Sequence, residues 1–183
     1  MSSADVETAV ESPARPRRVV LFGVMAAIAL GLDILTKCLV AANLEGDAPK
    51  RVLGGAAYLD VTRNSGAAFS MGTSFTIVLT VLAIAVAAVI VRTAGRLRSI
   101  GWAIAFGLIL GGALGNLTDR LFRSPGVGRG HVVDFVSLFG PDGKYWGIFN
   151  LADSAISVGA VLAVVLALVG IRFDGTRQSK TVR

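Results

Sequence analysis

Four long apolar runs are the strongest constraint on how this chain folds. They cover residues 19–42, 75–91, 99–117 and 154–171. A membrane-spanning helix needs about 20 mostly apolar residues, with a range of roughly 17–25, so each run is long enough to cross most of a bilayer. Charged residues make up only 16% of the chain, whereas soluble domains carry about 25%. These features predict an all-α membrane protein with four transmembrane helices in one compact domain, residues 19–172.

The distribution of positive charge predicts the topology. The chain has a net charge of +6, and ten of its 18 basic residues lie in segments that four spans place on one side of the membrane. These residues are Arg15, Arg17, Arg18, Arg92, Arg96, Arg98, Arg172, Arg177, Lys180 and Arg183. The positive-inside rule makes that side cytoplasmic. Both termini are therefore expected in the cytoplasm, and the charge gives no reason to expect a nucleic-acid partner.

The two terminal segments are expected to be short cytoplasmic tails. Residues 1–18 are polar and contain two prolines, and residues 173–183 are basic, so both are predicted to be disordered. The first apolar run is longer than the roughly 7–15 residues of a signal-peptide core, and it carries Asp33 and Lys37. We therefore expect it to be a retained helix.

Metal and thiol chemistry are limited by the scarcity of suitable side chains. Cys38 is the only cysteine and His131 the only histidine. One cysteine cannot form an internal disulfide, and neither residue builds a metal cluster alone. Cys38 lies within the first apolar run, where we expect it to be packed in the helix. His131 lies in a glycine-rich loop, which is a poor setting for the base of a Ser-His-Asp triad.

The first and third spans carry polar residues that are costly in a bilayer. Asp33 and Lys37 stand four residues apart on one helix face, where they are expected to form a supporting ion pair. Asn116 and Asp119 stand three residues apart near the end of the third span, and Arg120 follows them. Lipid offers no hydrogen-bond partners, so these groups must be satisfied inside the bundle.

The second span is uniformly apolar and is expected to be a scaffold without site residues. The loop after it, residues 92–98, is short, which makes the second and third helices antiparallel neighbours. Gly111 and Gly115 in the third span have the small-xxx-small spacing that lets helices approach closely in lipid.

The first outer loop, residues 43–74, predicts a strand followed by a turn. Residues 57–62 are rich in β-branched and aromatic side chains. Asn64 and Gly66 then provide turn chemistry, because both residue types tolerate positive φ. By itself this segment is only a weak indication of a ligand site.

Two aspartates, Asp134 and Asp153, are the strongest candidates for chemistry. Asp134 lies in the second outer loop, residues 121–148, which is glycine-rich and predicted to be turn-rich. Asp153 stands three residues after Asn150 at the start of the fourth span. Close carboxylates cannot both ionise cheaply, so one keeps its proton. The ionised group can take a proton from water while the protonated group hydrogen-bonds a scissile carbonyl. Which aspartate keeps the proton is left open.

Two other classes of membrane protein also fit four helices with buried acids. One is a component of a proton-coupled transporter, since buried carboxylates serve as proton relays. That reading predicts acids near mid-bilayer, whereas Asp119, Asp134 and Asp153 lie toward the outer ends of spans. The other is a structural subunit, which gives no reason for the asparagines beside these acids.

Five sequence blocks, taken in order, resemble the motif blocks of bacterial lipoprotein signal peptidases (signal peptidase II). The blocks are Asp33 with Lys37; Asn64-Ser65-Gly66-Ala67-Ala68-Phe69; Gly115-Asn116-Leu117-Thr118-Asp119-Arg120; Val133-Asp134-Phe135; and Phe149-Asn150-Leu151-Ala152-Asp153. One block alone would be weak, but five in the family's order are specific.

The resemblance implies an intramembrane aspartyl endopeptidase that cuts prolipoproteins just before a diacylglyceryl-modified cysteine. It implies that Asp134 and Asp153 are the catalytic pair. The residues implied to bind substrate are Asn64, Gly66, Asn116, Arg120 and Asn150. The residues implied to support the site are Asp33, Lys37 and Asp119.

The resemblance also implies a setting for the reaction. The outer loops would form a small extracytoplasmic β-platform, and the active site would face that side of the bacterial cytoplasmic (inner) membrane. The expected partners are diacylglyceryl-modified prolipoproteins and membrane lipid. The protein is expected to be a monomer, to need no metal or cofactor, and to be sensitive to the cyclic peptide globomycin.

Overall fold

Helices occupy all four predicted spans. The computed structural model describes residues 16–66 and 73–178, and within them four helices are long and apolar enough to cross a membrane. Their bounds are α1 Val19–Leu44, α2 Thr73–Ala94, α3 Ile100–Phe122 and α4 Leu151–Leu168. The predicted four-helix architecture is confirmed. α3 continues beyond the apolar run to Phe122, because protein partners satisfy the polar side chains of its last turns.

The central helix of the bundle is α3, against which α1 and α4 pack along much of their length and α2 packs less extensively. Glycines allow the close approach. A Cβ added at Gly111 would lie 2.5 Å from the carbonyl oxygen of Ala26 in α1. Gly115, one turn later, lies against Asp33 of α1, and Gly112 faces α4. The predicted small-residue contact is therefore confirmed, and its partner is α1.

A three-stranded antiparallel sheet lies at one end of the bundle. Within the described ranges its strands are β1 Lys50–Val52, β2 Ala57–Asn64 and β3 Val132–Leu138, in the order β1-β2-β3. The strand predicted at residues 57–62 is confirmed as part of β2. A register shift in β2 leaves Thr62 opposite Asp134.

Strand β3 differs from the turn-rich loop predicted for residues 121–148. Its valines and phenylalanine suit a pleated, half-buried surface, and the strand pairs with β2 along most of its length. Asp134 is thus held in a regular strand, with 2% of its surface exposed. An isolated bridge between Val136 and Phe149 brings the start of α4 alongside the same strand.

At the opposite end of the bundle, the chain after α4 folds back onto α3. The ring of Phe173 packs edge-on against Trp102, with 4.6 Å between the ring centroids. The indole Nε1 of Trp102 donates a 2.8 Å hydrogen bond to the carbonyl of Ile171. The first part of the C-terminal tail is therefore packed, in contrast to the predicted disorder. Residues 1–15 and 179–183 of the two tails lie outside the described residues.

Three side chains in α1 and α2 differ from the sequence-based prediction. Cys38 is exposed on the outside of α1, because the buried stripe of this helix runs through Asp33 and Lys37 instead. In α2, Thr76 and Thr80 are buried, so this helix is not a plain apolar scaffold.

Candidate active site

The described candidate residues gather where the helix bundle meets the sheet. Asn64 ends β2, and Asp134 lies in the neighbouring strand β3. Gly66 lies in the turn after β2. The remaining candidates lie at helix ends or on the adjoining face of α1: Asp33, Lys37, Asn116, Asp119, Arg120, Asn150 and Asp153. Ala67, Ala68 and Phe69 of the second block lie outside the described residues.

Asn150 connects the two candidate aspartates. Its side-chain Nδ2 donates a 2.6 Å hydrogen bond to Asp134 Oδ1, and its backbone N–H donates a 3.3 Å bond to Asp153 Oδ2. Its side-chain oxygen accepts from the backbone N–H of Asp153 at 3.0 Å. Asn150 and Asp153 therefore form a capping box at the start of α4. One fully buried residue fixes both carboxyl groups in position.

Asn64 supplies a second donor to Asp134. Its Nδ2 lies 2.8 Å from Asp134 Oδ2, so each oxygen of this carboxyl group accepts from an amide. The side-chain oxygen of Asn64 accepts a 2.7 Å bond from the backbone N–H of Gly66. Gly66 has a φ of +81°, a conformation that favours glycine. The turn after β2 thus aims the Asn64 amide at Asp134.

Asn116 extends the hydrogen bonding around the two aspartates into the helix bundle. Its Nδ2 donates a 2.8 Å hydrogen bond to Asp153 Oδ1. Its Oδ1 accepts a 3.1 Å bond from Asn150 and a 2.9 Å bond from the ammonium group of Lys37. An ammonium group can only donate, so Lys37 fixes which end of the Asn116 amide faces Asp153.

Lys37 and Asp33 form a fully buried ion pair in α1. Lys37 Nζ lies 2.8 Å from Asp33 Oδ2 and 3.0 Å from Asp119 Oδ2. The other oxygen of Asp33 accepts a 2.9 Å bond from the backbone N–H of Ala152 in α4. A buried charge is tolerated only when it is paired and hydrogen-bonded, and these contacts meet that condition. They join α1, α3 and α4 directly beneath the two aspartates.

Asp119 connects the ion-pair cluster to the sheet. Besides Lys37, it accepts a 3.2 Å hydrogen bond from the backbone N–H of Val133, next to Asp134. Its other oxygen pairs with the guanidinium of Arg123. Arg123 is not among the predicted site residues, although its i,i+4 spacing from Asp119 predicts such a pair.

The electrostatics of the two aspartates differ. Burial raises the pKa of Asp134 from 3.8 to about 6, and the negative charge of Asp153 also raises it. The hydrogen bonds from Asn64 and Asn150 act in the opposite direction, because they favour the ionised form. Asp153 is only half-buried. The raised pKa makes Asp134 the candidate to carry a proton below about pH 6.

Arg120 contributes positive charge to the same region. Its side chain is half-buried, and it is attracted electrostatically to Asp153, Asp134 and Asp119. Its backbone carbonyl accepts a 3.0 Å bond from Gly130, which closes the end of α3.

A cavity of about 360 Å³ opens beside Asp134. It is lined by Thr62, Arg63, Asn64, Ser65, Asp134, Asp142, Gly143, Gly147 and Ile148. Most of these residues were not predicted to be near the site. They come from β2 and from the segment between β3 and α4, which is distant in sequence from β2.

Two further contacts hold the walls of this cavity. Arg63 makes a bidentate pair with Glu45 at the end of α1, at 2.6 and 2.7 Å, and this hydrogen bonding lowers the pKa of Glu45. Thr76 Oγ1 in α2 donates to the carbonyl oxygen of Ser65, which follows Asn64. Within the described residues no cluster of three His, Cys, Asp or Glu side chains is arranged to hold a metal ion.

Comparison with known proteins places this chain in a family. Residues 25–169 match the family model described as signal peptidase (SPase) II. A lipoprotein signal peptidase of Rhodococcus jostii is 51% identical, over 88% of this chain and 79% of that protein. The lipoprotein signal peptidase of Streptomyces coelicolor is 50% identical, over 87% of this chain and 76% of that protein.

A solved structure shares the fold. A bacterial membrane enzyme determined by the in meso method at 1.9 Å resolution aligns with a TM-score of 0.73 and 24% identity, over 86% of this chain and 98% of that one. At that identity the likeness supports the architecture alone, whereas the family match and the relatives cover most of the chain. This chain belongs to the signal peptidase II family.

Proposed function

We propose that this protein is an intramembrane aspartyl endopeptidase in which Asp134 and Asp153 are the catalytic pair. Its family makes it a peptidase that removes signal peptides from lipoproteins, and its four spanning helices make it a multi-pass membrane protein. The aspartyl mechanism and the intramembrane site are the further steps of the proposal. The observation that carries them is the hydrogen bonding of both carboxyl groups to Asn150.

The proposed mechanism uses the difference between the two carboxyl groups. Asp134, whose pKa is raised to about 6, holds the proton and hydrogen-bonds the oxygen of the scissile carbonyl. Asp153, which is more exposed, is the proposed general base and takes a proton from water as the water oxygen attacks the carbonyl carbon. Asp134 transfers its proton to the carbonyl oxygen, so a neutral gem-diol forms.

Breakdown of the gem-diol completes the reaction. Asp153 gives its new proton to the leaving nitrogen as the carbon–nitrogen bond breaks. One hydroxyl of the gem-diol returns its proton to Asp134 as the carboxyl product forms. The pair ends in its starting protonation state, so the cycle needs no other acid or base.

The hydrogen-bond network refines the roles proposed for the other site residues. The side-chain amides of Asn64, Asn116 and Asn150 all donate to the two aspartates, which favours a positioning role over the substrate contact implied by the resemblance. The backbone N–H of Gly66 is used by Asn64. Arg120 remains a candidate for contact with the substrate backbone.

The orientation and substrate are also parts of the proposal. The basic residues at the end opposite the site support cytoplasmic termini and an extracytoplasmic site. The substrate proposed is a prolipoprotein whose cysteine carries diacylglycerol, because its signal helix and acyl chains both reach the site from lipid. We propose that one copy of the chain suffices, since residues from a single copy complete the described network.

The decisive experiment is cleavage of a diacylglyceryl-modified prolipoprotein by the purified protein in detergent. Replacing either aspartate, Asp134→Asn or Asp153→Asn, should reduce the rate by about 10²–10⁴-fold or more, and globomycin should inhibit the wild type. Asp47→Asn is the matched control, because Asp47 is a half-exposed partner of Lys50. A folded but inactive wild type, or full activity in either site variant, would exclude the proposal. Proton flux in liposomes would then test the transporter alternative.

A further inference from the structure

The cavity beside Asp134 contains a threonine hydroxyl that the proposed mechanism does not use. Thr62 lines this cavity together with Asn64 and Asp134, and it is half-buried. It lies in β2, directly opposite Asp134 of β3. Residues paired in this way share one face of the sheet, with about 4.5–5.5 Å between their Cβ atoms. The side chain of Thr62 is therefore a close neighbour of the Asp134 carboxyl group on that face.

The two residues that follow this threonine in β2 are already engaged. Asn64 donates to Asp134 and accepts from the backbone N–H of Gly66. Arg63 is held by its bidentate pair with Glu45. Both side chains keep the site in place, and Asn64 has each end of its amide occupied.

The hydroxyl of Thr62 makes no hydrogen bond to another described residue. The two oxygens of Asp134 accept from the amides of Asn64 and Asn150 instead. A strand does not require this hydroxyl, because valine has nearly the same shape and suits a strand as well. A hydroxyl can donate one hydrogen bond and accept two, so this one is available to a molecule that enters the cavity.

The lining of the cavity indicates which part of a substrate enters it. Its residues belong to the sheet or to the segments beside the sheet, and none belongs to a described helix. The signal helix of a substrate lies in lipid, whereas the chain beyond the scissile bond leads out of the membrane. The cavity therefore suits the mature side of the substrate.

The spacing along a peptide determines which group meets the hydroxyl. In the proposed mechanism Asp134 hydrogen-bonds the scissile carbonyl. Successive residues of an extended chain advance by about 3.2–3.4 Å, which is less than the distance across the Thr62–Asp134 pair. A scissile carbonyl at Asp134 thus brings the next peptide group within reach of the Thr62 side chain.

We propose that Thr62 is a substrate-binding residue whose hydroxyl hydrogen-bonds the first peptide group after the scissile bond. This contact holds the mature side of the substrate while Asp134 engages the scissile carbonyl. The inference rests on the proposed peptidase function, because it takes the cavity beside Asp134 as the place of cleavage.

The test compares two variants in the cleavage of a diacylglyceryl-modified prolipoprotein by the purified protein in detergent. Thr62→Val removes the hydroxyl and keeps the shape of the side chain, whereas Thr62→Ser keeps the hydroxyl. Loss of one hydrogen bond between neutral groups should lower kcat/KM about three- to tenfold in Thr62→Val, mainly through KM. Thr62→Ser should retain kcat/KM within about twofold of the wild type. Wild-type kcat/KM in the valine variant, or an equal loss in the serine variant, would overturn the proposal.

Thr93→Val is the matched control, because the Thr93 hydroxyl donates to the carbonyl of Val89 in its own helix. It should cleave as the wild type does, and an equal loss there would show a general effect of the substitution. The pH at which the rates are compared gives a second check. The loss in Thr62→Val should persist below pH 6, where Asp134 carries its proton. A loss confined to higher pH would assign the effect to the ionisation of Asp134 and overturn the substrate contact.

Binding to an inactive protein separates failure of this inference from failure of the proposed function. In the Asp153→Asn background, the uncleaved prolipoprotein should bind about three- to tenfold more weakly when Thr62→Val is added. Unchanged affinity would overturn the inference while leaving the aspartyl mechanism intact. Conversely, full cleavage by Asp153→Asn together with weaker binding in the double variant would contradict that mechanism and support the contact.

Discussion

The side-chain amide of Asn150 lies 2.6 Å from Asp134, while the backbone of Asn150 starts the helix that carries Asp153. Asn150 thus fixes the position of the start of helix α4 relative to strand β3. Any change that moves the start of α4 also moves Asp134 relative to Asp153. The cap of α4 is for this reason part of the candidate active site.

Replacing Asn150 separates its two roles. Serine caps a helix about as well as asparagine, whereas alanine costs about 0.5–2 kcal/mol of stability. Neither can donate to Asp134 across the same distance. We expect Asn150→Ser and Asn150→Ala each to lower the cleavage rate at least tenfold. Thermal unfolding in detergent should show the larger loss of stability for alanine. Full activity in the serine variant would show that cleavage does not need the side-chain amide of Asn150.

The pKa of Asp134 predicts the pH dependence of cleavage. A raised pKa means that the proton is present below about pH 6 and is lost as the pH rises through that value. If the singly protonated pair is the active form, kcat/KM should fall as the pH rises above this range. This fall is the high-pH limb of a profile of kcat/KM against pH, and measuring that profile tests the prediction.

A variant of Asn64 tests whether the falling limb of the pH profile reports the pKa of Asp134. The Asn64 amide favours ionised Asp134 and so lowers its pKa. Asn64→Ala should therefore raise the pKa and move the falling limb to higher pH, even if the maximum rate is lower. A limb that stays in place or moves to lower pH would assign it to another group.

Much of the site was predictable because membrane burial makes polar residues conspicuous. Asp33, Lys37 and Asn116 stand out within apolar runs, and helical spacing predicts which of them share a face. Asp153 stands immediately before the fourth run. The Asp33–Lys37 pair was predicted in this way and is confirmed. Long apolar runs likewise made the four helices predictable.

Contacts between distant segments were not predictable from local patterns. Strand β3 was missed because its partner β2 lies about 70 residues earlier, as in the Asn64–Asp134 pair, and because glycines surround it. The contact of Thr76 with Ser65 was missed because a threonine in an apolar run carries no mark of its partner. Cys38 was misplaced because the outside of a membrane helix is as apolar as its packed face.

Lys37 is expected to be important for stability because two carboxylates depend on it. Lys37→Met would leave Asp33 and Asp119 in a buried site without their shared cation. Breaking a buried ion pair by removing one partner costs about 3–5 kcal/mol. Lys50→Met is the matched control, since Lys50 pairs with Asp47 where both are 51% exposed. The loss of stability in Lys50→Met should not exceed about 1 kcal/mol. Comparable unfolding midpoints for the two variants would contradict the buried role of Lys37.

The contact between Gly115 and Asp33 gives a test of packing. A Cβ at residue 115 would lie 2.9 Å from Asp33 Cγ and closer still to its Oδ2. Asp33 cannot easily withdraw, because Lys37 and the backbone N–H of Ala152 hold it. Gly115→Ala should therefore cost about 1–3 kcal/mol of stability. It should also slow cleavage, since displacing Asp33 disturbs the network beneath Asp153.

Gly31→Ala controls for the intrinsic effect of adding a methyl group to a helix glycine. No atom lies within 4 Å of a Cβ built at Gly31, and alanine is favoured over glycine in helices by up to about 1 kcal/mol. This variant should unfold at the wild-type temperature or above it, with unchanged cleavage. Equal unfolding temperatures for the two alanine variants would mean that α1 and α3 can separate without loss. The close approach of Gly115 to Asp33 would then not be required to hold the site together.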